Sequence, residues 1–247
     1  MRHNGCEPYS GNWLSGRKTH QPAMDDLKRF PTSKLKPASA SFGGRLAFNP
    51  YCELPPTIWY GIGIALEPFD LEDCAPDPDL WGTTIDTTLS SGGIILPFRD
   101  WKKINGELGP IEDVGEGSIY VSGVHNPVDI RLVRFKRIGG TKFRINLDLE
   151  IAFEFEGSGF SDTRCSLEIE PEYSGLSFYA PIWNDPDSVE FPNDWKIPEN
   201  FDKTSVQELF ERFVDTSLYD LNQDGKSFKL LPRKIPTEQI AQQDAAG

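Results

Sequence analysis

Apolar and polar residues alternate from Phe143 to Glu156, which reads FRINLDLEIAFEFE. Phe143, Ile145, Leu147, Leu149, Ile151, Phe153 and Phe155 take the odd positions. Arg144, Asn146, Asp148, Glu150, Glu154 and Glu156 take the even ones, with Ala152 the exception. Successive strand side chains point to opposite faces, so this period predicts one long strand with a buried face and an acidic face. The same reading places strands at Thr57–Glu67, Ile119–Val124, Pro127–Arg137 and Arg164–Tyr173. Shorter strands are expected at Arg45–Phe48, Trp81–Leu89, Ile94–Pro97 and Leu176–Pro181, a turn at Ser90–Gly93, and a helical turn at Asp100–Ile104. In Thr57–Glu67 one face is Ile58, Tyr60, Ile62, Ile64 and Leu66. The other is Trp59, Gly61, Gly63 and Ala65, whose small residues predict a bend or the close approach of another backbone.

Gly139-Gly140 is a hairpin signal. With these two residues as the turn, Arg131 faces Asp148 and Asp129 faces Glu150. The apolar phase slips after Leu132, which predicts a β-bulge near Leu132–Arg134; a three-residue turn is the alternative. Pairing Phe155 with Cys165 sets Glu150 opposite Glu170 and Asp148 opposite Glu172. Glu150, Glu154, Glu168 and Glu170 are then left without a cation in register, a destabilising arrangement. One helix is marked by Ser205 and Glu208 as a capping box and by an apolar stripe, Val206, Leu209, Phe210, Phe213, Val214 and Leu218.

The fold class is therefore α+β and β-rich: a twisted antiparallel sheet or sandwich with one C-terminal helix packed on it. Residues 1–41 are expected as a flexible basic segment, 42–231 as a single domain and 232–247 as a flexible tail. Met24 is an alternative start for the chain.

Charge adds a direction. The net charge is −13, yet residues 1–41 carry seven Lys/Arg against three acids, so the remainder carries −17. Such a body repels phosphate backbones and anionic membranes, which disfavours nucleic-acid and membrane partners. The four cysteines, Cys6, Cys52, Cys74 and Cys165, have no CxxC spacing and no disulfide-framework pattern, in keeping with a reducing, cytoplasmic setting. No window approaches the ~18 apolar residues of a membrane span, and the N-terminus lacks a signal peptide's apolar core.

Candidate chemistry is sparse. Asp220, Asn222 and Asp224, followed by Gly225, match the first half of an EF-hand loop, the only cofactor signal and one for calcium. The twelfth position is Leu231 instead of Glu, and an Asx-rich turn explains the same residues. His125 is the only histidine beyond residue 41 and stands in a polar turn. Paired carboxylates for glycoside hydrolysis lack an apolar pocket to raise one pKa. Phosphate loops, dinucleotide fingerprints, zinc-protease and nucleophile-elbow motifs are absent from the sequence. The reading is a non-enzymatic binding protein. Asp148, Glu150, Glu154, Glu168, Glu170 and Glu172, flanked by Trp183 and Trp195, would hold a basic protein partner, an antitoxin or immunity-type inhibitor being one instance. The alternative is a carbohydrate-binding or carbohydrate-cleaving β-sandwich that uses the loop tryptophans with acidic residues.

Overall fold

The computed structural model describes residues 27–49, 54–69, 88–108, 116–121, 124–154, 159–179 and 201–233. The strands are β1 (Lys28–Arg29), β2 (Pro37–Asn49), β3 (Leu54–Leu66), β4 (Thr88–Ile94), β5 (Gly106–Leu108), β6 (Glu116–Val121) and β7 (Val124–Gly139). They continue with β8 (Lys142–Ile151), β9 (Phe160–Ser161), β10 (Thr163–Ile169), β11 (Tyr173–Tyr179), β12 (Tyr219–Asp224) and β13 (Ser227–Pro232). Helix α1 (Lys203–Glu211) precedes the last hairpin. Among the described residues the protein is thus β-rich α+β with one α-helix on the sheet. No helix among the described residues is long and apolar enough to cross a membrane.

The main sheet runs β10-β8-β7-β6-β4-β3-β2-β11-β13-β12. β10 and β11 are two parts of one run of chain, so the sheet returns on itself. The N–H of Phe143 donates to the carbonyl of Pro171, and the N–H of Tyr173 donates to the carbonyl of Thr141. Those groups turn one edge of the run toward β8. Tyr173 also pairs with Phe42 of β2 in parallel, which uses the opposite edge. The ring β2-β3-β4-β6-β7-β8-β10/β11 is an up-and-down barrel of seven strands. Six antiparallel steps leave the seventh strand running in the direction of the first, so the closing pair has to be parallel.

The barrel is filled. Phe42 is wholly buried, and its ring centroid lies 5.3 Å from Phe135, 5.4 Å from Tyr173, 5.5 Å from Phe143 and 6.0 Å from Tyr60. A narrow barrel interior accommodates side chains and little else. Aromatic plugs close both ends. At one end Phe30 stacks on Phe153 at 4.5 Å and meets Phe160 edge-on at 5.3 Å. At the other, Trp101 from a short 3-10 helix packs on Tyr173 at 5.8 Å.

These plugs account for two departures from the sequence expectations. The strand that starts at Phe143 ends at Ile151, not Glu156, because Phe153 leaves the ladder to join the plug. Order also begins before Gly43: Phe30 and Leu35 are core residues, and β2 starts at Pro37, whose missing N–H is tolerated at a first strand position.

Between β7 and β8 the expected bulge is present, with the register shifting between Ile130 and Leu132. Asp129 faces Glu150 as predicted. Arg131 does not face Asp148, because it is the bulged residue and Leu132 takes that place. A second shift lies between Arg137 and Gly139, so the turn falls on Gly140-Thr141 and not on Gly139-Gly140. The residues SSGG, read as a turn, lie inside β4, where a register shift accommodates an extra residue and bends the strand around the barrel.

Past Gly175 the chain changes partners. β11 parts from β8 and takes β13 on that edge, while keeping β2 on the other. Helix α1 covers the inner face of this extension, with Phe210 at 6.5 Å and Phe228 at 6.2 Å from Phe178. Its N-cap is Asp202, which forms the capping box with Ser205; Ser205 is the third helical residue and not the cap. Arg99 closes the other end of the helix by donating to the carbonyls of Glu211 and Arg212.

Candidate functional site

Three regions bring chemistry-bearing side chains together. The first is the outer face of β7, β8 and β10, where five of the sequence-predicted carboxylates lie. Its register differs from expectation. Glu150 faces Arg164 instead of Glu170, and Asp148 faces Ser166 instead of Glu172. The predicted pairing assumed that β8 continued to Phe155, and the early exit of Phe153 moves the whole ladder. No like-charged cross-strand pair results between β8 and β10, and the carboxylates acquire partners. Glu150 Oε2 accepts from Arg131 at 2.8 Å and from Arg164 at 3.0 Å. Glu170 is held by Arg144 at 2.6 Å and Lys142 at 3.1 Å, and these contacts, the Arg144 hydrogen bond foremost, hold its carboxyl below the usual range. Asp148 accepts from Ser166 Oγ at 2.7 Å, and Arg144 lies 3.7 Å from Glu168. Glu172 bridges to Lys142 through the backbone ladder. Glu154 stands in the turn after β8, where its side chain and that of Asp162 each accept from the other's backbone N–H. With Asp129 and Glu107, which pair with Arg131 and Arg134, the face carries seven carboxylates against Arg131, Arg134, Lys136, Lys142, Arg144 and Arg164 and is near neutral. Exposed pairs of this kind add little stability singly.

Trp183 and Trp195 lie outside the described residues. Asp220, Asn222 and Asp224 are described, but as alternate residues of strand β12 and not as a loop. An EF-hand needs a loop that wraps the ion, whereas a strand spreads these side chains along a line. Asp220 is occupied by Arg233 at 2.9 Å. Among the described residues no group of three or more His, Cys, Asp or Glu side chains is placed to hold a metal ion.

The second region is buried. Tyr173 and Tyr219 share a hydrogen bond of 3.1 Å between their hydroxyls, with Tyr60 alongside. Burial pushes Tyr60 up to about 12 and raises Tyr173 and Tyr219 well above the ordinary tyrosine value. Burial likewise pushes the Cys165 thiol up to about 11, so it is a packing residue and not a nucleophile near neutral pH. Raised folded-state values mean that the tyrosines' stability contribution is full below the unfolded pKa of ~10 and is lost as pH rises through about 12. Denaturant midpoints measured against pH are expected to hold level through neutral pH and fall above ~10, with a shallower fall in Tyr219→Phe. A midpoint that ignores alkaline pH, or an unchanged fall in the variant, counts against this account.

The third region is a groove of about 940 Å³ on the outer face where β3, β2, β11 and β13 adjoin. Cross-strand pairing sets Trp59 opposite Arg45, Arg45 opposite Ser177, Ser177 opposite Lys229 and Lys229 opposite Asn222. Directly paired residues share a face, so these five form one row across five strands. The floor beside Trp59 is made by Gly43 and Gly61, which also face each other. A Cβ on Gly43 would lie 2.3 Å from Ser174 Oγ, so a larger residue there would displace that hydroxyl. Ser174 and Ser177 donate their hydroxyl hydrogens to the carbonyls of Phe42 and Gly44, which leaves each oxygen free to accept. Arg45 and Lys229 are exposed and make no ion pair or hydrogen bond with a described residue. Trp59 is half-buried and its indole makes no ring contact with a described residue.

The sequence marked Trp59 and the small residues around it, but not Arg45 or Lys229. Their proximity depends on the parallel seam, which no local pattern announces. Comparison with protein-family models, with curated proteins and with solved structures found no match to this chain.

Proposed function

We propose that the protein is a binding protein that takes an anionic ligand in the groove over β2, β3, β11 and β13. The observation that carries this reading is the row Trp59–Arg45–Ser177–Lys229, in which two cations that make no ion pair with a described residue flank Ser177 inside a concavity. The volume, about 940 Å³, is at the upper end of small-molecule sites. Arginine offers a planar fork that matches carboxylate or phosphate, and lysine adds a mobile point charge. The filled barrel supports an exterior site over an interior one. The carboxylate face offers less to a basic protein than its sequence implied, since its acids are engaged by arginines, a lysine, a serine and backbone N–H groups. That partner class passes to the groove's opposite, a ligand of negative charge.

The test is thermal unfolding of the full chain in a panel of phosphate, sulfate and polycarboxylate salts at matched ionic strength. At a hundredfold excess over its Kd a ligand adds ~2.7 kcal/mol. A rise in Tm is expected with at least one anion, and it should vanish in Arg45→Gln/Lys229→Gln. Both positions are exposed, so the double variant alone should shift stability by no more than ~1 kcal/mol. If no anion at millimolar concentration moves Tm, or if the double variant responds like the parent, the groove is not an anion site.

A further inference from the structure

We propose that the ligand of this groove is a nucleoside phosphate, its ring lying against Trp59 and its phosphoryl group between Arg45 and Lys229. The inference rests on the anion-groove reading and adds the chemistry of the rest of the ligand. Three observations lead to it.

First, the charge at the site is double. Arg45 and Lys229 stand two strand spacings apart, about 10 Å between backbones, on either side of Ser177. Their long side chains can converge over that serine. A phosphate monoester carries close to two negative charges near neutral pH and has three acceptor oxygens, whereas a carboxylate has one charge and two oxygens. Two cations converging on one point suit the phosphate.

Second, the neutral half of the groove offers an aromatic side chain. Trp59 is directly opposite Arg45, and next to it on the same face are two glycines that face one another. A planar ring can lie with its face or edge on that half-buried indole. Stacking on an aromatic side chain is indifferent to which base is offered and contributes about tenfold or more in affinity. The hydroxyl oxygen of Ser174, whose hydrogen is already donated to the carbonyl of Phe42, is an acceptor for a sugar hydroxyl.

Third, the backbone here is spent. β2 lies between β3 and β11, β11 between β2 and β13, and β13 between β11 and β12. None offers a free edge, so an extended peptide cannot add as a strand, and recognition falls to side chains. A single nucleotide also meets far less repulsion from a chain of net charge −13 than a polynucleotide does.

Isothermal titration of the full chain with ADP, its base-free counterpart ribose 5-diphosphate (the ribose phosphate below), inorganic phosphate and adenosine separates the parts. ADP is expected to bind at least tenfold more tightly than ribose phosphate. Trp59→Leu should erase that ratio while leaving ribose phosphate binding unchanged, and Trp59→Phe should retain most of it. Arg45→Gln and Lys229→Gln should each weaken ADP about tenfold and leave adenosine unaffected. Unfolding midpoints of each variant show that it is folded. If phosphate and ribose phosphate bind as tightly as ADP, and Arg45→Gln still weakens them, the anion groove stands and the nucleoside inference falls. If ADP, ribose phosphate and phosphate all fail to bind, both fall. If Trp59→Leu leaves the ADP preference intact, the ring is not at Trp59 and the inference falls.

Discussion

Gly175→Ala is expected to cost on the order of 4 kcal/mol of stability. Gly175 has φ +89°, a left-handed conformation that disfavours any side chain, and a Cβ built there would lie 2.0 Å from the carbonyl oxygen of Leu230. That atom is backbone, paired in the β11–β13 ladder, and cannot rotate away. The strain of a positive φ is worth about 1–2 kcal/mol, and forcing β13 outward adds about 1–3 kcal/mol. Gly140→Ala is the control. Gly140 also has a positive φ, +51°, but nothing lies within 4 Å of its added Cβ. It should show the conformational part alone, about 1 kcal/mol. Urea unfolding of both variants decides the matter. Equal losses would mean that the contact at Leu230 is unimportant and that β11 does not need to turn at Gly175.

Phe42→Ala is expected to remove about 3–5 kcal/mol, the usual range for a large aromatic deleted from a core. Its ring touches aromatic rings from β3, β7, β8 and β11 together. A cavity left among side chains from so many strands cannot close by the movement of one. For a chain of this length the loss corresponds to roughly 10 °C in Tm. Phe42→Leu keeps most of the volume and should lose less than half as much. If calorimetry found Phe42→Ala within ~1 kcal/mol of the parent, the ring could not be the centre of the barrel.

The sequence was most informative where pattern is local. Alternation from Phe143 located β8, the phase slip after Leu132 located the bulge, and Asp100–Ile104 proved to be a 3-10 turn around Trp101. It was misleading where local pattern and tertiary packing compete. Phe153 and Phe30 look like the next strand residue and part of a basic arm, yet both are drawn into the same plug. That one exit from the ladder changed the β8–β10 register and turned four unpaired carboxylates into engaged ones. Ser205 and Glu208 fit a capping box, but Asp202 stands three residues before Ser205 and takes the cap. The groove was the least legible. Gly43-Gly44-Arg45, Trp59 and Lys229 lie in separate stretches of sequence, and only the parallel pairing of β2 with β11 puts Ser177 between the two cations.

The seam has a consequence for how the molecule assembles. Residues that meet across it, such as Phe42 and Ser174, are separated by 132 positions, whereas the other barrel pairs join neighbouring strands of a meander. Closing so long a loop carries the largest entropic cost and is rewarded only once both strands are in place, which makes the seam a late event in folding. Arg45 and Ser177 lie on its two sides. The groove therefore does not exist in a chain whose ring is still open, and a ligand that spans both residues acts as a clasp on the finished barrel, binding the closed state alone and slowing its reopening.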